Sequence, residues 1–203
     1  GGMPSMQETW EAMEALVDEG LVRAIGVSNV DVAQLCDILT YARHRPSVNQ
    51  VELHPHLQQR GLVNFCHKVG TQVVAFSPLG RPDQVLIGQE GEDGAVAKKK
   101  GGTPLLQEPC VLEVAREAGL SPAQVVLAWG LQRGHGVVPK SSNASRLREN
   151  LEAVDARLSE ESLRRIDGIE GLLPGGPQRY VNLRLVGEGC GPPFRQWGPT
   201  LLQ

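Results

Sequence analysis

Residues 47–80, SVNQVELHPHLQQRGLVNFCHKVGTQVVAFSPLG, contain a complete strand–helix–strand pattern. The segments SVNQVELHP and TQVVAFSPLG are largely apolar and do not alternate, which favours strands covered on both faces. Between them, Leu62, Phe65 and Cys66 recur at helical spacing, and Gly70 ends the predicted helix. Because strands joined by a helix run parallel with a right-handed crossover, this stretch predicts a parallel α/β fold.

The same alternation of strand and helix continues on both sides of this unit. RAIGVSN at 23–29 and GVVPKSS at 136–142 predict a first and a fourth strand. Further helices are predicted at 8–20, 32–45, 109–118, 121–132, 143–154 and 159–170. Each strand has its most polar residues at the carboxyl end, where α/β barrels and open α/β sheets place their chemistry.

Composition excludes several classes of protein. The 203 residues carry a net charge of −3, so no general positive field favours nucleic acid or an anionic membrane. No apolar run approaches the ~20 residues of a membrane span, and the first residues, GGMPSMQETW, do not form a signal peptide. The dispersed cysteines lack a CxxC spacing and predict reduced, mostly core thiols. A cytoplasmic protein is therefore expected.

Two segments interrupt the pattern. Residues 81–104 are rich in glycine and charge and predict a long mobile loop, whose Lys98–Lys100 run either meets a phosphate or is simply solvated. Residues 171–203 are rich in proline and glycine and predict an irregular tail. The expected organisation is one α/β unit over 1–170 followed by this tail.

The ends of the first three predicted strands carry groups that suit a ligand. Ser28 and Asn29 have the donors and acceptors to pair with an amide, although Asn29 can equally serve only to turn the chain. Gln50 is either a ligand contact or a core hydrogen-bonding group. Phe76 either stacks on a planar ligand or belongs to the core, and Ser77 offers a hydroxyl and a backbone N–H to a phosphate.

The fourth strand end has the strongest pattern. Asn143 is expected to cap the next helix, whose free N–H groups and dipole favour an anion. Lys140 and Arg146 suit a phosphate, because an ammonium and a guanidinium bind it by charge and by forked hydrogen bonds. Glu149 and Asn150 share a helix face with Arg146 and suit an adenine. The alternative is an ordinary solvated helix start.

Other candidate sites are incomplete. His54 and His56 resemble a metal-binding pair but provide too few ligands, so no metal is expected. Tyr41 and His44, spaced like an acid–base pair, are predicted on a helix away from the strand ends.

Four motifs in this order, RAIGVSN, VNQVELHP, VVAFSPLG and VVPKSSNASRLREN, resemble the carboxyl-terminal half of the aldo-keto reductases. The likeness covers residues 8–167, and the stretch LLQEPCVLEVAREAGLSPAQVVLAW is most similar to the NADP-dependent aldehyde reductase branch. The resemblance implies a TIM (β/α)8 barrel, of which only the last four β/α units are present as a half barrel. It also implies NADPH-dependent reduction of aldehydes and other carbonyls to alcohols, with a small-molecule carbonyl substrate.

Matching positions imply the cofactor contacts. Ser28, Asn29 and Gln50 correspond to residues that hold the nicotinamide carboxamide, and Phe76 stands where the family usually stacks a tyrosine. The remaining matches are Ser77 and Leu79 for the pyrophosphate, Lys140, Ser141 and Arg146 for the adenosine 2′-phosphate, and Glu149 and Asn150 for the adenine. Arg81 departs from the pattern, since a small residue is common there.

The catalytic residues of the family have no match in this chain. The resemblance implies an Asp, Tyr, Lys and His tetrad on the first strands of the barrel, which we expect upstream of this sequence. A half barrel has two open edges, so the chain is expected to be a truncated or mis-spliced product, one part of a larger chain, or a half that associates with another. A catalytically silent NADP-binding or structural chain is the alternative to a reductase.

Overall fold

A computed structural model describes residues 4–80, 103–173 and 176–180 of the protein. Within these residues four strands form one parallel sheet in the order β1-β2-β3-β4. The strands are β1 Val27–Ser28, β2 Val48–Glu52, β3 Gln72–Phe76 and β4 Gly136–Val138. The predicted α/β class and the parallel direction of the strands are therefore confirmed.

Helices separate the strands along the chain. They are α1 Met6–Asp18, α2 Val32–Tyr41, α3 Arg60–Val69, α4 Pro109–Ala118, α5 Pro122–Gln132, α6 Ala144–Glu152, α7 Glu160–Asp167 and α8 Ile169–Leu172, with a short 3-10 turn at Leu105–Gln107. The helix predicted at 159–170 is divided into α7 and α8, and α8 continues beyond the expected boundary at residue 170.

Local capping explains where several helices begin. The side chain of Ser5 accepts a hydrogen bond from the backbone N–H of Glu8, whose carboxylate accepts from the N–H of Ser5 in return. This reciprocal pair starts α1 two residues before the predicted position. Equivalent capping boxes begin α2 and α5.

Strand β1 is much shorter than predicted, with two residues in place of the whole of RAIGVSN. It pairs only with β2 among the described strands, so fewer ladder hydrogen bonds hold it. Gly26 permits close contact just before it, because a Cβ there would lie 2.7 Å from the carbonyl oxygen of Val48. A larger residue would separate the two strands.

The main core lies on one face of the sheet. Val51, Val73 and Ala75 are buried there against the helices. On the other face the described residues give only partial cover, since Gln50 and Phe76 are half-buried whereas Glu52 is fully buried. The core residues and these three residues lie on opposite faces, because side chains alternate in direction along each strand.

The strand register brings the carboxyl ends to one edge of the sheet. Ser28 lies beside Gln50, Glu52 beside Phe76, and Phe76 beside Val138. The polar residues that follow each strand therefore share this edge of the sheet.

The three described cysteines are free thiols. Cys66 is buried in the core, Cys110 is half-buried, and Cys36 is exposed, contrary to the expectation of mostly core positions. Cys190 lies outside the described residues. Among the helices described, none has the length and hydropathy needed to cross a membrane.

A buried carboxylate fastens α1 to the rest of the fold. Glu14 is 1% exposed and accepts hydrogen bonds from the backbone N–H groups of Arg43 and His44 at 2.7 and 2.8 Å. The indole of Trp10 donates to the carbonyl of His44 at 3.2 Å. Helix α1 is therefore held to the connection between α2 and β2 by polar contacts as well as by apolar packing.

Replacing Glu14 by alanine leaves two N–H groups without their acceptor. We expect Glu14→Ala to lower the free energy of unfolding by about 2–4 kcal/mol, measured by urea denaturation. Glu11→Ala, on the exposed side of the same helix, is the matched control and should change it by less than about 0.5 kcal/mol. Equal losses in the two variants would contradict this role of Glu14.

Candidate functional site

The first two strand ends are joined through one carbonyl. The Ser28 hydroxyl donates to the carbonyl oxygen of Gln50 at 2.8 Å, and the backbone N–H of Asn29 donates to the same atom at 2.9 Å. The Asn29 side-chain amide donates to the Ser28 hydroxyl at 3.2 Å, and Asn29 has a φ of 57°. Asn29 therefore makes the turn, and Ser28, Asn29 and Gln50 lie together as the resemblance implies.

Gln50 and Phe76 occupy the sheet face opposite the main core. The Gln50 side chain is half-buried and has no hydrogen-bond partner within the described residues, so the alternative of a core hydrogen bond is not supported there. Phe76 is half-buried and lies outside the main hydrophobic core. Both positions are compatible with contacts to a planar ligand.

A tight turn follows β3. Ser77 has a φ of 48°, and its carbonyl accepts a hydrogen bond from the N–H of Gly80 at 2.9 Å. The side chain of Leu79 is half-buried and packs against the core. Both expected pyrophosphate contacts, Ser77 and Leu79, lie in this turn.

The connection from β4 to α6 confirms the predicted cap but changes the expected source of anion contacts. The side-chain oxygen of Asn143 accepts from the N–H groups of Ser145 and Arg146 at 2.9 and 3.2 Å. Its own N–H donates to the Ser141 hydroxyl at 3.1 Å. These two helix N–H groups, expected to be free, are already satisfied by the cap, so the expected anion contacts at this position are mainly the side chains.

The basic side chains at this position are available for a ligand. Lys140 and Arg146 are both exposed, and neither forms an ion pair with any residue the structure describes. Ser141, Glu149 and Asn150 are half-buried nearby in the sequence. An ammonium, a guanidinium and a hydroxyl form a donor set whose chemistry fits a phosphate dianion.

A buried polar cluster at the carboxyl end of β2 was not predicted from the sequence. His56 Nδ1 lies 2.5 Å from the Tyr180 hydroxyl, and His56 Nε2 lies 2.9 Å from a carboxylate oxygen of Glu108. Burial lowers the pKa of His56 to about 4, so the ring is neutral at pH 7. The phenol then donates to Nδ1, and Nε2–H donates to Glu108.

Glu52 connects the same cluster to the sheet. This carboxylate is fully buried and accepts a hydrogen bond from the backbone N–H of Tyr180 at 2.6 Å. Arg179 lies 3.7 Å away and His54 lies 3.2 Å away. Residues 176–180 are therefore fixed at the carboxyl end of β2. In the sequence, Glu52 stands out as a polar residue between apolar strand positions. Its partner Tyr180 could not be predicted, because it is 128 residues away.

The cluster is structural in character. Burial, with Glu108 and Glu52 nearby, raises the pKa of Tyr180 far above its ordinary value. Tyr180 is 1% exposed, and its ring lies 3.1 Å from the position a Cβ would take on Gly80. A phenol that is buried and resists ionisation is a poor proton donor to a ligand, and its ring instead packs against the turn after β3.

Tyr41 and His44 lie at the end of α2 and beside α1, away from the strand ends. The described residues contain no group of three His, Cys, Asp or Glu side chains suited to a metal ion. His44 lies 2.7 Å from Asp18. Arg81 and the Lys98–Lys100 run lie outside the described residues.

The chain has an α/β fold in which exposed basic side chains, Lys140 and Arg146, follow the last of four parallel strands. The aldo/keto reductase family model matches residues 3–170. The chain therefore belongs to the aldo/keto reductase family.

Curated relatives support the same assignment. A probable NAD(P)H-dependent D-xylose reductase xyl1 from Emericella nidulans is 42% identical over 180 residues, covering 88% of this chain and 54% of the relative. Aldo-keto reductase family 1 member A1-A from Danio rerio is 43% identical over 161 residues, covering 79% and 46%. The chain thus spans about half the length of the curated relatives it matches.

Solved structures agree with the fold. The aldose reductase from Schistosoma japonicum matches with a TM-score of 0.73 at 34% identity, over 92% of this chain and 53% of that chain. The aldose reductase from Giardia lamblia gives a TM-score of 0.69 at 34% identity, over 83% and 51%. The four-stranded unit is therefore similar to about half of each enzyme.

The buried histidines predict acid sensitivity. Burial lowers the pKa values of His56 and His135 to about 4, below the ordinary 6.5 of an unfolded histidine. The unfolded chain therefore takes up more protons, and we expect stability that is full above pH 6.5 to fall progressively toward pH 4. Glu108, whose pKa is raised by burial, partly opposes this trend. Urea denaturation between pH 4 and 7 measures how the free energy of unfolding changes with pH.

A single substitution tests the origin of this slope. His135→Gln removes one of three histidines whose pKa is lowered by burial, the others being His54 and His56, so the fall in unfolding free energy between pH 6.5 and 4 should be smaller than in the unmodified chain. Identical slopes in the two proteins would show that His135 does not contribute.

Proposed function

We propose that this chain is the carboxyl-terminal, cofactor-binding half of a (β/α)8-barrel reductase that uses NADPH to reduce aldehydes or other small carbonyl compounds to alcohols. The observation that carries the proposal is the donor set of Lys140, Ser141 and Arg146 after β4. It lies at the same sheet edge as Phe76, through the pairing of Phe76 with Val138. The side chains proposed to bind a phosphate and the ring proposed to stack on the nicotinamide therefore lie at the same edge of the sheet.

The proposed role of this donor set is to select NADPH over NADH. The two cofactors differ by the 2′-phosphate of the adenosine ribose, and this dianion is matched by an exposed ammonium and guanidinium. Asn143 holds the beginning of α6 and thereby the backbone of Arg146. Glu149 and Asn150 follow on the same helix and are assigned to the adenine.

The opposite end of the cofactor is assigned to the first three strand ends. Ser28, Asn29 and Gln50 would hold the nicotinamide carboxamide, and Phe76 would support the ring face, which does not require the hydroxyl of a tyrosine. The turn at Ser77 and Leu79 would contact the pyrophosphate through a hydroxyl and backbone N–H groups. When bound, NADPH supplies the hydride for carbonyl reduction.

The proton donor for this reduction is assigned to residues outside the sequence. The chain has two tyrosines, Tyr41 and Tyr180. Tyr180 is buried and hydrogen-bonded to His56, and the hydroxyl of Tyr41 is buried on α2. A tetrad of Asp, Tyr, Lys and His on further β/α units would complete the site, as the family resemblance implies.

The relatives support a carbonyl substrate without defining it. The names of two matching proteins refer to xylose reductase and to aldo-keto reductase family 1 member A1, and their identities of 42% and 43% are nearly equal. The similarity to the aldehyde reductase branch therefore stays a prediction. These names and that of the Schistosoma japonicum aldose reductase have in common the reduction of a carbonyl compound, so the proposed substrate class stays a small aldehyde or other carbonyl.

A second function is favoured by one observation. Because the hydroxyl groups of both tyrosines are buried, the chain by itself lacks an accessible phenol to protonate an alkoxide. The alternative proposal is a catalytically silent chain that retains NADP(H) binding or serves a structural role.

The phosphate assignment predicts a selective loss of affinity. In the barrel completed by its amino-terminal half, Arg146→Ala should weaken NADPH binding by about 1.5–3 kcal/mol and leave NADH binding nearly unchanged. Arg148→Ala is the matched control, because residues two apart on a helix face different directions. Fluorescence titration with each cofactor gives the dissociation constants. Equal losses for both cofactors would reject the assignment.

Turnover separates the two proposed functions. The 203-residue chain alone should show no NADPH-dependent reduction of an aldehyde, measured by absorbance at the reduced nicotinamide band. After addition of an amino-terminal half that carries the tetrad, a reductase should regain turnover. A completed barrel that binds NADPH but stays inactive would instead support the silent alternative.

A further inference from the structure

We propose that Tyr180 is a positioning residue for the cofactor, because its ring holds the turn after β3 in the conformation that meets the pyrophosphate. Tyr180 has this role only if the proposed function holds, in which Ser77 and Leu79 of that turn contact the pyrophosphate. The role is supported by the backbone of the turn, by the buried ring beside it and by the hydrogen bonds that fix the ring.

The turn after β3 has a backbone that serine seldom adopts without support. Ser77 has a φ of 48° and Gly80 a φ of 69°, both in the left-handed region. This region suits glycine but costs free energy for a residue with a Cβ, so Ser77 keeps it only where its surroundings require it. The N–H of Gly80 donates to the carbonyl of Ser77 at 2.9 Å and closes the turn. Packing of Leu79 against the core holds the middle of the turn, which leaves its end at Gly80 to be held by another contact.

The ring of Tyr180 provides this contact. A Cβ on Gly80 would lie 3.1 Å from Cε2 and 3.5 Å from Cζ of Tyr180, and 3.4 Å from Cβ of Leu105. Tyr180 is 1% exposed and Leu105 is 2% exposed, so close packing restricts the movement of both side chains. Gly80 therefore cannot shift toward them, and the end of the turn is fixed in this direction.

Hydrogen bonds fix the ring itself. The N–H of Tyr180 donates to Glu52 at 2.6 Å, and its hydroxyl donates to Nδ1 of His56 at 2.5 Å. The N–H of Gln178 donates to the carbonyl of His56 at 2.8 Å. The backbone and the phenol of Tyr180 are thus both held by residues at the carboxyl end of β2 or just after it. The ring of His54 lies beside the phenol, with the ring centroids 4.7 Å apart.

The hydroxyl of Tyr180 orients the ring in addition to its apolar packing. A phenylalanine would fill nearly the same volume without a partner, whereas a buried phenol is costly unless it is hydrogen-bonded. His56 supplies that partner and is itself held, because its Nε2–H donates to Glu108 at 2.9 Å, just before α4. The end of β2, the start of α4 and residues 176–180 therefore meet at this one ring.

The same network relates the turn to the strand that carries Phe76. Phe76 is in register with Glu52, which accepts the N–H of Tyr180, and Ser77 follows Phe76 directly. The ring assigned to the nicotinamide and the turn assigned to the pyrophosphate are thus positioned from one carboxylate. Hydrogen bonds weaken steeply as their geometry worsens, so a displaced turn should bind a pyrophosphate less well.

Loss of the ring should weaken NADPH and NADH to the same extent, because both contain the pyrophosphate. In the barrel completed by its amino-terminal half, Tyr180→Leu should raise both dissociation constants by about tenfold. Adenosine 2′,5′-bisphosphate has the adenine and the 2′-phosphate but no pyrophosphate, and its affinity should change by less than about twofold. A general loss of structure would weaken all three ligands alike and would overturn the positioning role.

Hydrogen exchange tests the contact without any cofactor. In the full 203-residue chain the Gly80 amide is hydrogen-bonded to Ser77, so its exchange with solvent should be slow. Tyr180→Leu should speed this exchange by about tenfold or more, and Tyr180→Phe, which keeps the ring, should speed it less. Amides in the middle of α5 should keep their rates. An unchanged rate at Gly80 in Tyr180→Leu, measured by nuclear magnetic resonance, would contradict the proposal.

A second variant covers the case in which Tyr180→Leu does not fold. Gly80→Ala places a methyl group 3.1 Å from the Tyr180 ring and should weaken both dinucleotides by about tenfold. Gly70→Ala is the matched control, because Gly70 has a similar φ of 77° but no neighbouring atom within 4 Å of the added Cβ. Its dinucleotide affinities should match those of the unmodified protein. Unchanged affinities in Gly80→Ala would reject the role of this contact.

The outcomes for Tyr180 and for the proposed function are distinguishable. Arg146→Ala should weaken NADPH alone, whereas Tyr180→Leu should weaken both dinucleotides. A Tyr180→Leu protein with a loosened turn and unchanged affinities would reject the positioning role and leave the phosphate role of Arg146 intact. An unmodified barrel that binds neither dinucleotide would reject the proposed function, and with it the role of Tyr180 in cofactor binding.

Discussion

The parallel pairing of β2 with β3 determines the rest of this structure. Their register sets Val48 beside Gln72 and Glu52 beside Phe76, so both strands end at one edge of the sheet. Side chains alternate along each strand, which sends one set into the helix-covered core and the other to the opposite face. The same backbone constraint thus supplies both the core and the row of side chains that includes Gln50 and Phe76.

Much of the fold could be predicted because its determinants are local. Helix caps such as Ser121 followed by Pro122 are read directly from neighbouring residues, and α5 begins there as expected. Strand β1 was overestimated because its length depends on having neighbours on both sides, which sequence pattern does not reveal. The link between His56 and Tyr180 was missed because 124 residues separate them.

The grouping of the candidate residues was easier to predict than the directions of their side chains. The polar pattern predicted Ser28, Asn29 and, within β2, Gln50 as ligand contacts; these three lie together, and their contact with a ligand stays a prediction. Sequence could not show that the Leu79 side chain turns into the core, nor that Asn143 occupies the helix N–H groups expected to meet an anion. Both outcomes depend on rotamers and backbone angles that neighbouring elements impose.

The buried carboxylate of Glu52 has a consequence for the order in which the protein is made. Its hydrogen bond to the backbone of Tyr180 joins positions 128 residues apart. While a ribosome is still translating the intervening residues, this contact does not yet exist, and water must solvate that side of the carboxylate, since an ion is costly to bury without its partners. The strand ends therefore reach their final packing only after the last described residues have left the exit tunnel.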